Sequence, residues 1–350
     1  EDVAIIAQKL LGIVAEPVRI DGHEFLVATS IGAAVFPRDG SDPDTLLKHA
    51  DSALYRAKDR GRGGVAFFAQ EMNDRAVSYF NLERDLRHAL ERGEFLLHYQ
   101  PIMAMASGEM VGAEALIRWR RGSGQMVSPM DFIPIAEESG LIVPIGAWVL
   151  REAAARAREW NADGRSELSV AVNLSARQFR DPKLVEIVRA ALAETGLEPR
   201  LLILEITEST VMHDAEEAIA ALLALREIGV CLSVDDFGTG YSSLSYLKRL
   251  PLNHLKVDRS FVKDIPGNSD DSAITRAVIE LAHSLELEVV AEGVETDAQR
   301  KFLLDQGCDY AQGYLFGKPI EVEAFRALLN ERGNSAPNAK ARRRPRSRKR

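Results

Sequence analysis

The sequence predicts an α/β fold, a TIM-type (β/α)8 barrel whose first strand is antiparallel. Between residues 94 and 332, short β-branched runs alternate with amphipathic helical runs, and these 239 residues approach the ~250 that are typical of such a barrel. The connection at 103–109 is too short for a helical crossover, so we expect strands one and two to be antiparallel. The predicted strands are 95–102, 110–118, 168–174, 201–206, 230–234, 254–257, 288–291 and 311–315.

Helical runs with recognisable ends separate these strands. In one of them, Asp214 and Glu217 have the spacing of a capping box, and Gly229 follows as a stop signal. The runs 269–285 and 297–304 show the same apolar periodicity. Each run is long enough to return the chain to the start of the next parallel strand.

The first 70 residues predict a partial α+β domain ahead of the barrel. We expect a helix at 4–14, a strand pair at 18–20 and 24–36 turned at Asp21-Gly22, a helix at 43–60 and a strand at 65–68. So few strands make only a small core. A helix at 79–90 belongs to a predicted connecting segment, 71–93, and the barrel occupies 94–332.

The charge is distributed unevenly along the chain. The net charge is −8, yet residues 333–350 contain eight Lys and Arg and no Asp or Glu, so residues 1–332 carry −16. An acidic body disfavours nonspecific nucleic-acid binding and suits metal cations. We expect the basic tail to be disordered and solvated, with weak attraction to anionic surfaces as the alternative.

Two cysteines, Cys231 and Cys308, are too few for a disulfide framework and indicate buried thiols in a reducing, cytoplasmic setting. The longest continuous apolar stretch, 141–150, has about half the number of residues that a membrane-spanning helix needs. No signal peptide is visible. The chain opens on Glu1 rather than Met, so we expect a longer protein with an upstream sensory region or membrane anchor.

Oxygen-bearing side chains recur along the predicted strands, mostly where a strand ends. Because the carboxyl ends of barrel strands meet at one rim, we expect these side chains to converge. They are Glu114, Asn173, Glu205, Asp235, Asp236 and Glu292. Unpaired burial of so much negative charge is prohibitive, and hard oxygen donors suit Mg²⁺ or Mn²⁺. The set therefore predicts a metal site.

Asp235 and Asp236 are adjacent, so their side chains diverge, and one can face each of two ions. For any single acid the alternative is a helix N-cap or a solvated loop residue. Lys256 closes strand six. It is either a surface or salt-bridged lysine, or a group that orients or activates the attacking water or binds a phosphoryl oxygen. The planar guanidinium of Arg118 is suited to bind phosphate.

Other catalytic signatures are missing from the sequence. The glycine-rich run 236–243 lacks the ending of a P-loop, so we interpret it as a loop over the site. The seven histidines form no zinc-binding pair, and His98 and His254 are expected to be packing residues within strands. No nucleophile-elbow motif occurs.

Over residues 76–332 the chain resembles the EAL-domain cyclic di-GMP phosphodiesterases. The resemblance rests on ordered blocks rather than on one tripeptide. These blocks are Tyr99-Gln100-Pro101-Ile102, Glu114-Ala115-Leu116 with Arg118-Trp119, Phe132-Ile133-Pro134-Ile135-Ala136-Glu137, Val172-Asn173-Leu174-Ser175, Glu205-Ile206-Thr207-Glu208-Ser209, Asp235-Asp236-Phe237-Gly238-Thr239-Gly240, Lys256-Val257-Asp258, Glu292-Gly293-Val294-Glu295-Thr296 and Gln312-Gly313-Tyr314.

The resemblance implies an enzyme that opens cyclic di-GMP to linear pGpG with two Mg²⁺ or Mn²⁺ ions. The six oxygen donors would be metal ligands, Glu114 and Glu292 would take part in catalysis with Glu292 as base, and Lys256 would assist the water. The implied substrate contacts are Gln100, Leu116 and Arg118, and the implied supporting residues are Glu208, Asp258, Glu295 and Gln312. Glu208 would anchor the glycine-rich loop. A homodimer is a further expectation from the family.

Residues 1–68 resemble the C-terminal part of a GGDEF diguanylate cyclase domain, through 29–34 and 50–58. The run Asp21-Gly22-His23-Glu24-Phe25 lies too close to Ser30 to be the signature motif of the cyclase domain. We therefore interpret it as a turn. The nucleotide-binding half is missing from this sequence, and we expect no cyclase activity from it.

Two other functions stay open at this point. A non-catalytic cyclic di-GMP receptor would bind the dinucleotide without turnover. A Schiff-base lyase would use Lys256 as a nucleophile, although the surrounding acids suit metals better.

Overall fold

The structure is a computed structural model, and it describes residues 2–14, 18–20, 23–25, 29–59, 64–68, 82–162, 167–213, 215–238 and 244–335. The chain divides into two compact units, Glu1–Leu86 and Arg87–Arg350. Of the predicted disordered tail, 333–350, the first three residues continue a helix instead, and residues 336–350 lie outside the described residues. Residues 71–81 of the predicted connecting segment also lie outside them.

The first unit is built from two helices and two small pairs of strands. Helix α1 spans Asp2–Val14 and helix α2 spans Pro43–Asp59. The antiparallel pair is β1 (Val18–Ile20) with β2 (His23–Phe25), and the parallel pair is β3 (Ile31–Ala33) with β4 (Val65–Phe67). The predicted long strand at 24–36 is therefore wrong, because its two ends pair with different partners.

Close packing of α2 on β3 holds this unit together. A Cβ on Gly32 would lie 2.1 Å from the carbonyl oxygen of Ala50, so only glycine permits this approach. Ala53, Ala57 and Phe68 are buried beside it. These small residues let the helix backbone lie directly on the strand.

The second unit is a closed barrel of eight strands, as the sequence predicts. The strands of the unit are β5 (Phe95–Ala104), β6 (Met110–Arg120), β7 (Met126–Val127), β8 (Ser169–Leu174), β9 (Leu202–Thr207), β10 (Cys231–Phe237), β11 (His254–Val257), β12 (Glu288–Ala291), β13 (Tyr310–Ala311) and β14 (Ile320–Glu321). The ring runs β5-β6-β8-β9-β10-β11-β12-β13 and closes on β5. Strand β5 is antiparallel to both of its ring neighbours, which confirms the expectation from the short first connection.

The eighth strand is shorter than predicted. Residues 311–315 form an apolar run, but only Tyr310–Ala311 pairs as a strand. Gly313 approaches Val294 so closely that a Cβ there would lie 2.1 Å from the Val294 carbonyl oxygen. The backbone N–H of Leu315 donates to that same carbonyl, so the chain turns across the strand ends instead of continuing along them.

Helices surround the strands, and side-chain caps begin several of them. Ser128 caps one helix, Asn268 another, and Ser175 and Thr296 each form a capping box. The helices are α3 (residues 82–89), α4 (Pro129–Ser139), α5 (Ile142–Trp160), α6 (Ala176–Phe179), α7 (Leu184–Thr195), α8 (Glu208–His213), α9 (Ala215–Ile228), α10 (Leu244–Leu247), α11 (Arg259–Val262), α12 (Ser269–Ser284), α13 (Asp297–Asp305) and α14 (Val322–Ser335), with a 3-10 turn at Pro199–Leu201. Asp214, predicted to cap α9, lies outside the described residues.

Both cysteines are free thiols; Cys308 is buried and Cys231 is half-buried. Among the described helices, none combines the length and apolar character that crossing a bilayer requires.

Candidate active site

The predicted oxygen donors lie at one end of the barrel and face its interior. Asn173 pairs in register with Glu205 on neighbouring strands, and Glu205 pairs with Ser233. Since residues two apart on a strand share a face, Asp235 points to the same side as Ser233. Glu292 directly follows β12 and Gln312 directly follows β13. Barrel closure thus brings together side chains that are far apart in sequence.

Four carboxylates meet around a single lysine. The Nζ atom of Lys256 lies 2.5 Å from Glu292 Oε1, 2.8 Å from Glu205 Oε2, 3.2 Å from Asp235 Oδ2 and 4.0 Å from Glu114 Oε2. We call these four acids the carboxylate cluster. Lys256 is fully buried and forms ion pairs with these acids, so it is not a surface lysine. One ammonium leaves the cluster with a large excess of negative charge.

Two amide side chains hold Glu114 in place. Asn173 Nδ2 donates to Glu114 Oε1 at 2.6 Å, and Gln312 Nε2 donates to Glu114 Oε2 at 2.7 Å. Gln312 Nε2 also reaches Glu292 Oε1 at 3.1 Å, while Gln312 Oε1 is buried without a partner in the described structure. Gln312 therefore joins two acids of the cluster and keeps one free acceptor.

The adjacent pair Asp235 and Asp236 occupies an irregular piece of backbone. Asp236 has a φ of +56°, in the left-handed region that few non-glycine residues adopt, and its N–H donates to Asp235 Oδ1 at 2.9 Å. The pairing register between β10 and β11 shifts between Val234 and Phe237. Such strained bulges often re-aim a side chain at a functional site. Here the distortion lies at the two neighbouring carboxylates that the sequence predicts to face two ions.

Burial and mutual repulsion shift the protonation of this cluster. Burial raises the pKa of Glu205 well above its ordinary value and raises that of Glu292 to about 7, and in both cases Lys256 opposes the shift. Burial also raises the pKa of Asp236. Burial alone would lower the pKa of Lys256, but the four acids outweigh it and leave the value well above the usual one.

Metal-free protein should therefore lose stability as pH rises through 7. The folded pKa of Glu292, about 7, lies above its ordinary 4.5, so its contribution to stability is complete below pH 4.5 and disappears as pH passes 7. Relative to Glu292→Gln, metal-free wild type should lose roughly 1 kcal/mol of unfolding free energy between pH 6 and 8. Urea unfolding of both proteins at several pH values measures this difference, and the comparison cancels the buried histidines. A difference that stays constant or grows in favour of wild type would contradict it.

The predicted substrate contacts lie beside Glu114. Gln100 pairs with Glu114 across β5 and β6, and its Nε2 donates to Gly317 O at 3.1 Å. Leu116 and Arg118 follow Glu114 at spacings of two and four, so they share its face of β6. Arg118 is half-buried, and its Nη1 donates to Ile117 O at 2.8 Å. The structure thus places all three on the same inner face as the cluster.

Two of the predicted supporting residues, Glu208 and Asp258, act close to the Asp235–Asp236 segment, and a third, Glu295, lies apart from it. Glu208 Oε2 accepts the backbone N–H of Gly238 at 2.9 Å, at the start of the glycine-rich run, whose residues 239–243 lie outside the described structure. Asp258 caps α11 by accepting from Ser260, and its charge helps to raise the pKa of Asp236. Glu295 is exposed and paired with Arg259 at 2.8 Å, so it stands apart from the cluster.

Two capping boxes close to the site were missed in the sequence. Ser175 and Gln178 form one directly after the strand that carries Asn173, and Thr296 and Gln299 form the other shortly after Glu292. Their spacing, Ser or Thr followed by Gln three residues later, is a recognised helix-start signal. Each fixes the point where the chain leaves a strand end.

The donor set contains the oxygen atoms that a divalent cation needs. Within the described part of the chain, however, no three acidic, histidine or cysteine side chains are grouped in a form that could hold a metal ion. The acids instead converge on the ammonium of Lys256. Four acids around one lysine remain negative, which favours the entry of cations.

Comparison with known families and proteins agrees with this geometry. The EAL domain model matches residues 83–319, and the model for the diguanylate cyclase GGDEF domain matches residues 1–64. The bifunctional diguanylate cyclase/cyclic di-GMP phosphodiesterase MucR of Pseudomonas aeruginosa is 48% identical over 328 residues, covering 94% of this chain and 48% of MucR. The cyclic di-GMP phosphodiesterase NbdA of the same species is 43% identical over 334 residues, covering 95% of this chain and 43% of NbdA.

Solved structures show the same similarity. The PaMucR phosphodiesterase in complex with c-di-GMP has a TM-score of 0.68 and 50% identity, covering 70% of this chain and 99% of that one. The EAL domain of Mycobacterium smegmatis DcpA has a TM-score of 0.58 and 41% identity, covering 68% and 97%. The chain spans less than half the length of MucR and NbdA. The sequence resemblance is confirmed: this chain belongs to the EAL domain family and carries a GGDEF segment ahead of its barrel.

Proposed function

We propose that this chain hydrolyses cyclic di-GMP to linear pGpG with the help of two Mg²⁺ or Mn²⁺ ions. The observation that carries the proposal is the convergence of Glu114, Glu205, Asp235 and Glu292 on one buried lysine at the rim of the barrel. Relatives named as cyclic di-GMP phosphodiesterases support the choice of substrate.

The residues that would hold the ions all offer hard oxygen atoms. They are Glu114, Asn173, Glu205, Asp235, Asp236 and Glu292. The raised pKa values of Glu205 and Glu292 show how poorly one lysine balances the buried charge, so the set fits added cations. Bound there, such ions would lower the pKa of a water molecule and offset charge on phosphoryl oxygens.

The chain's own side chains would then position the reactants. Lys256 Nζ, already within hydrogen-bond distance of three acids, is placed to donate to the attacking water or to a phosphoryl oxygen. Glu292, with a pKa near 7 in the metal-free protein, suits the removal of a proton from that water at neutral pH. Gln312 would keep Glu292 and Glu114 in register, and Arg118 would bind phosphate through its planar guanidinium.

The test is product analysis with purified chain. Incubation with cyclic di-GMP and Mg²⁺ or Mn²⁺ should give pGpG by chromatography, and EDTA should stop the reaction. Calorimetry on the same sample separates the enzyme from a receptor. Metal-loaded protein that binds cyclic di-GMP but forms no product would reject hydrolysis and favour the non-catalytic receptor.

A further inference from the structure

A second cavity lies inside the barrel, at the end opposite the carboxylate cluster. Its volume is about 590 Å³, and its lining includes the first residue of several strands, namely Ser169, Cys231, His254, Glu288 and Tyr310. Because these strands are parallel, their first residues share one end of the barrel. We call this cavity the N-terminal well.

The well exists because its side chains are small or polar. In an ordinary barrel, branched apolar residues fill the interior in layers. Here Ser169 and Ser233 line the cavity, and Ser233 pairs in register with His254. The two serines leave space where valine or leucine would close it.

Two polar atoms in this lining are buried without a partner. Ser233 is 1% exposed, and within the described structure neither its Oγ nor His254 Nδ1 has a hydrogen-bond partner. His254 Nδ1 lies 3.5 Å from Glu288 Oε2, too far for a good hydrogen bond. Burial lowers the pKa of His254, so its ring is neutral near pH 7 and offers one donor and one acceptor. Such atoms need a partner, from water or from a ligand.

The charged groups of the lining are four acids and two arginines, and all of them except Glu205 are exposed. Glu205 reaches the well and pairs with Lys256 at 2.8 Å. At the rim, Arg200 pairs with Glu167, and Arg226 donates to a backbone carbonyl. An anion that entered would meet more acids than arginines and would shed its hydration shell, which is unfavourable. The two unpartnered buried atoms belong to neutral groups, so an uncharged hydrogen-bonding molecule matches them.

Apolar surface also lines the well. Ile203, Val290 and the ring of Tyr310 line the well beside the polar atoms. A volume of 590 Å³ lies in the range that small-molecule sites occupy. This mixed lining matches a compact molecule with an apolar ring and one hydrogen-bonding group.

We propose that the N-terminal well is a second ligand site, which binds a small uncharged molecule bearing an amide or lactam group. The carbonyl and N–H of that group pair with Ser233 Oγ and His254 Nδ1, and its ring covers Ile203 and Val290. The site is separate from the substrate face of the cluster, and it does not depend on the proposed hydrolysis.

Nicotinamide and 2-piperidone are suitable probes, each titrated into the ¹⁵N-labelled full chain and followed by NMR. Saturable shifts of the Ser233 and His254 amide signals are expected for at least one of them. Ser233→Ala removes one hydrogen bond and should weaken that binding about threefold to tenfold. Ser284→Ala, which changes an exposed serine on α12, should leave the affinity unchanged.

A filling variant completes the test. Ser233→Leu should abolish binding because its side chain occupies the well; should this variant fail to fold, Ser233→Ala decides alone. Two results would overturn the proposal. One is the absence of saturable shifts with both probes up to their solubility. The other is an affinity that Ser233→Ala leaves the same as in wild type.

Discussion

Glu114→Gln is expected to lower kcat for cyclic di-GMP about a thousandfold while the chain stays folded. The carboxylate accepts two amide N–H groups, from Asn173 and Gln312, and it lies at the edge of the cluster around Lys256. Glutamine has the same size but removes one negative charge and turns an amide N–H₂ toward a donor. Steady-state product formation with saturating Mn²⁺ measures the loss.

Glu109→Gln is the matched control for this change. Glu109 is an exposed carboxylate in the turn between β5 and β6, on the same hairpin but outside the site. Its substitution should leave kcat within twofold of wild type, on the order of a few tenths of a kcal/mol. A Glu114→Gln protein with near-normal turnover and a normal melting temperature would remove Glu114 from the catalytic machinery.

Lys256→Met is expected to destabilise the metal-free protein by about 3–5 kcal/mol and to lower kcat at least a hundredfold. The ammonium is fully buried and contacts Glu205, Asp235 and Glu292, and methionine matches its length without its charge. The acids would then face one another without a counter-ion. Urea unfolding in EDTA measures the loss of stability.

Added metal distinguishes a charge effect from a packing effect. If the loss arises from unbalanced charge, saturating Mn²⁺ should stabilise Lys256→Met more than it stabilises wild type. Lys248→Met, at an exposed lysine, should behave like wild type in both conditions. Equal stabilisation by Mn²⁺ in all three proteins would show that the cluster is not where the cations act.

Local sequence rules predicted much of the fold. They were wrong where contacts with distant segments determine the path of the chain. The short link between the first two strands correctly gave an antiparallel first strand, because a crossover needs more residues. The run 311–315 looked like a strand, but its path is set by contact of Gly313 and Leu315 with Val294. The run 24–36 looked like one strand, although it contributes to two separate pairs.

The candidate site also has features that the sequence predicts and features that it does not. The convergence of Glu205 and Glu292 inside the barrel could be predicted, because parallel barrel strands share a direction. Glu205, however, lies within its strand rather than at the end. The burial of Lys256 among four acids could not, since it results from barrel closure rather than from neighbours in sequence. The positive φ of Asp236 also had no sequence signal. Glu295 belongs to a family motif but pairs with Arg259 at the surface. The motif match therefore did not predict its position outside the cluster.

The central claim is that the carboxylate cluster, with Asn173 and Asp236, captures two divalent cations. Anomalous scattering from a crystal of this chain grown with Mn²⁺ tests it most directly. We predict two manganese peaks, each within about 2.0–2.6 Å of oxygen atoms from these six residues. Manganese bound elsewhere, with Lys256 still occupying the centre of the cluster, would contradict the account.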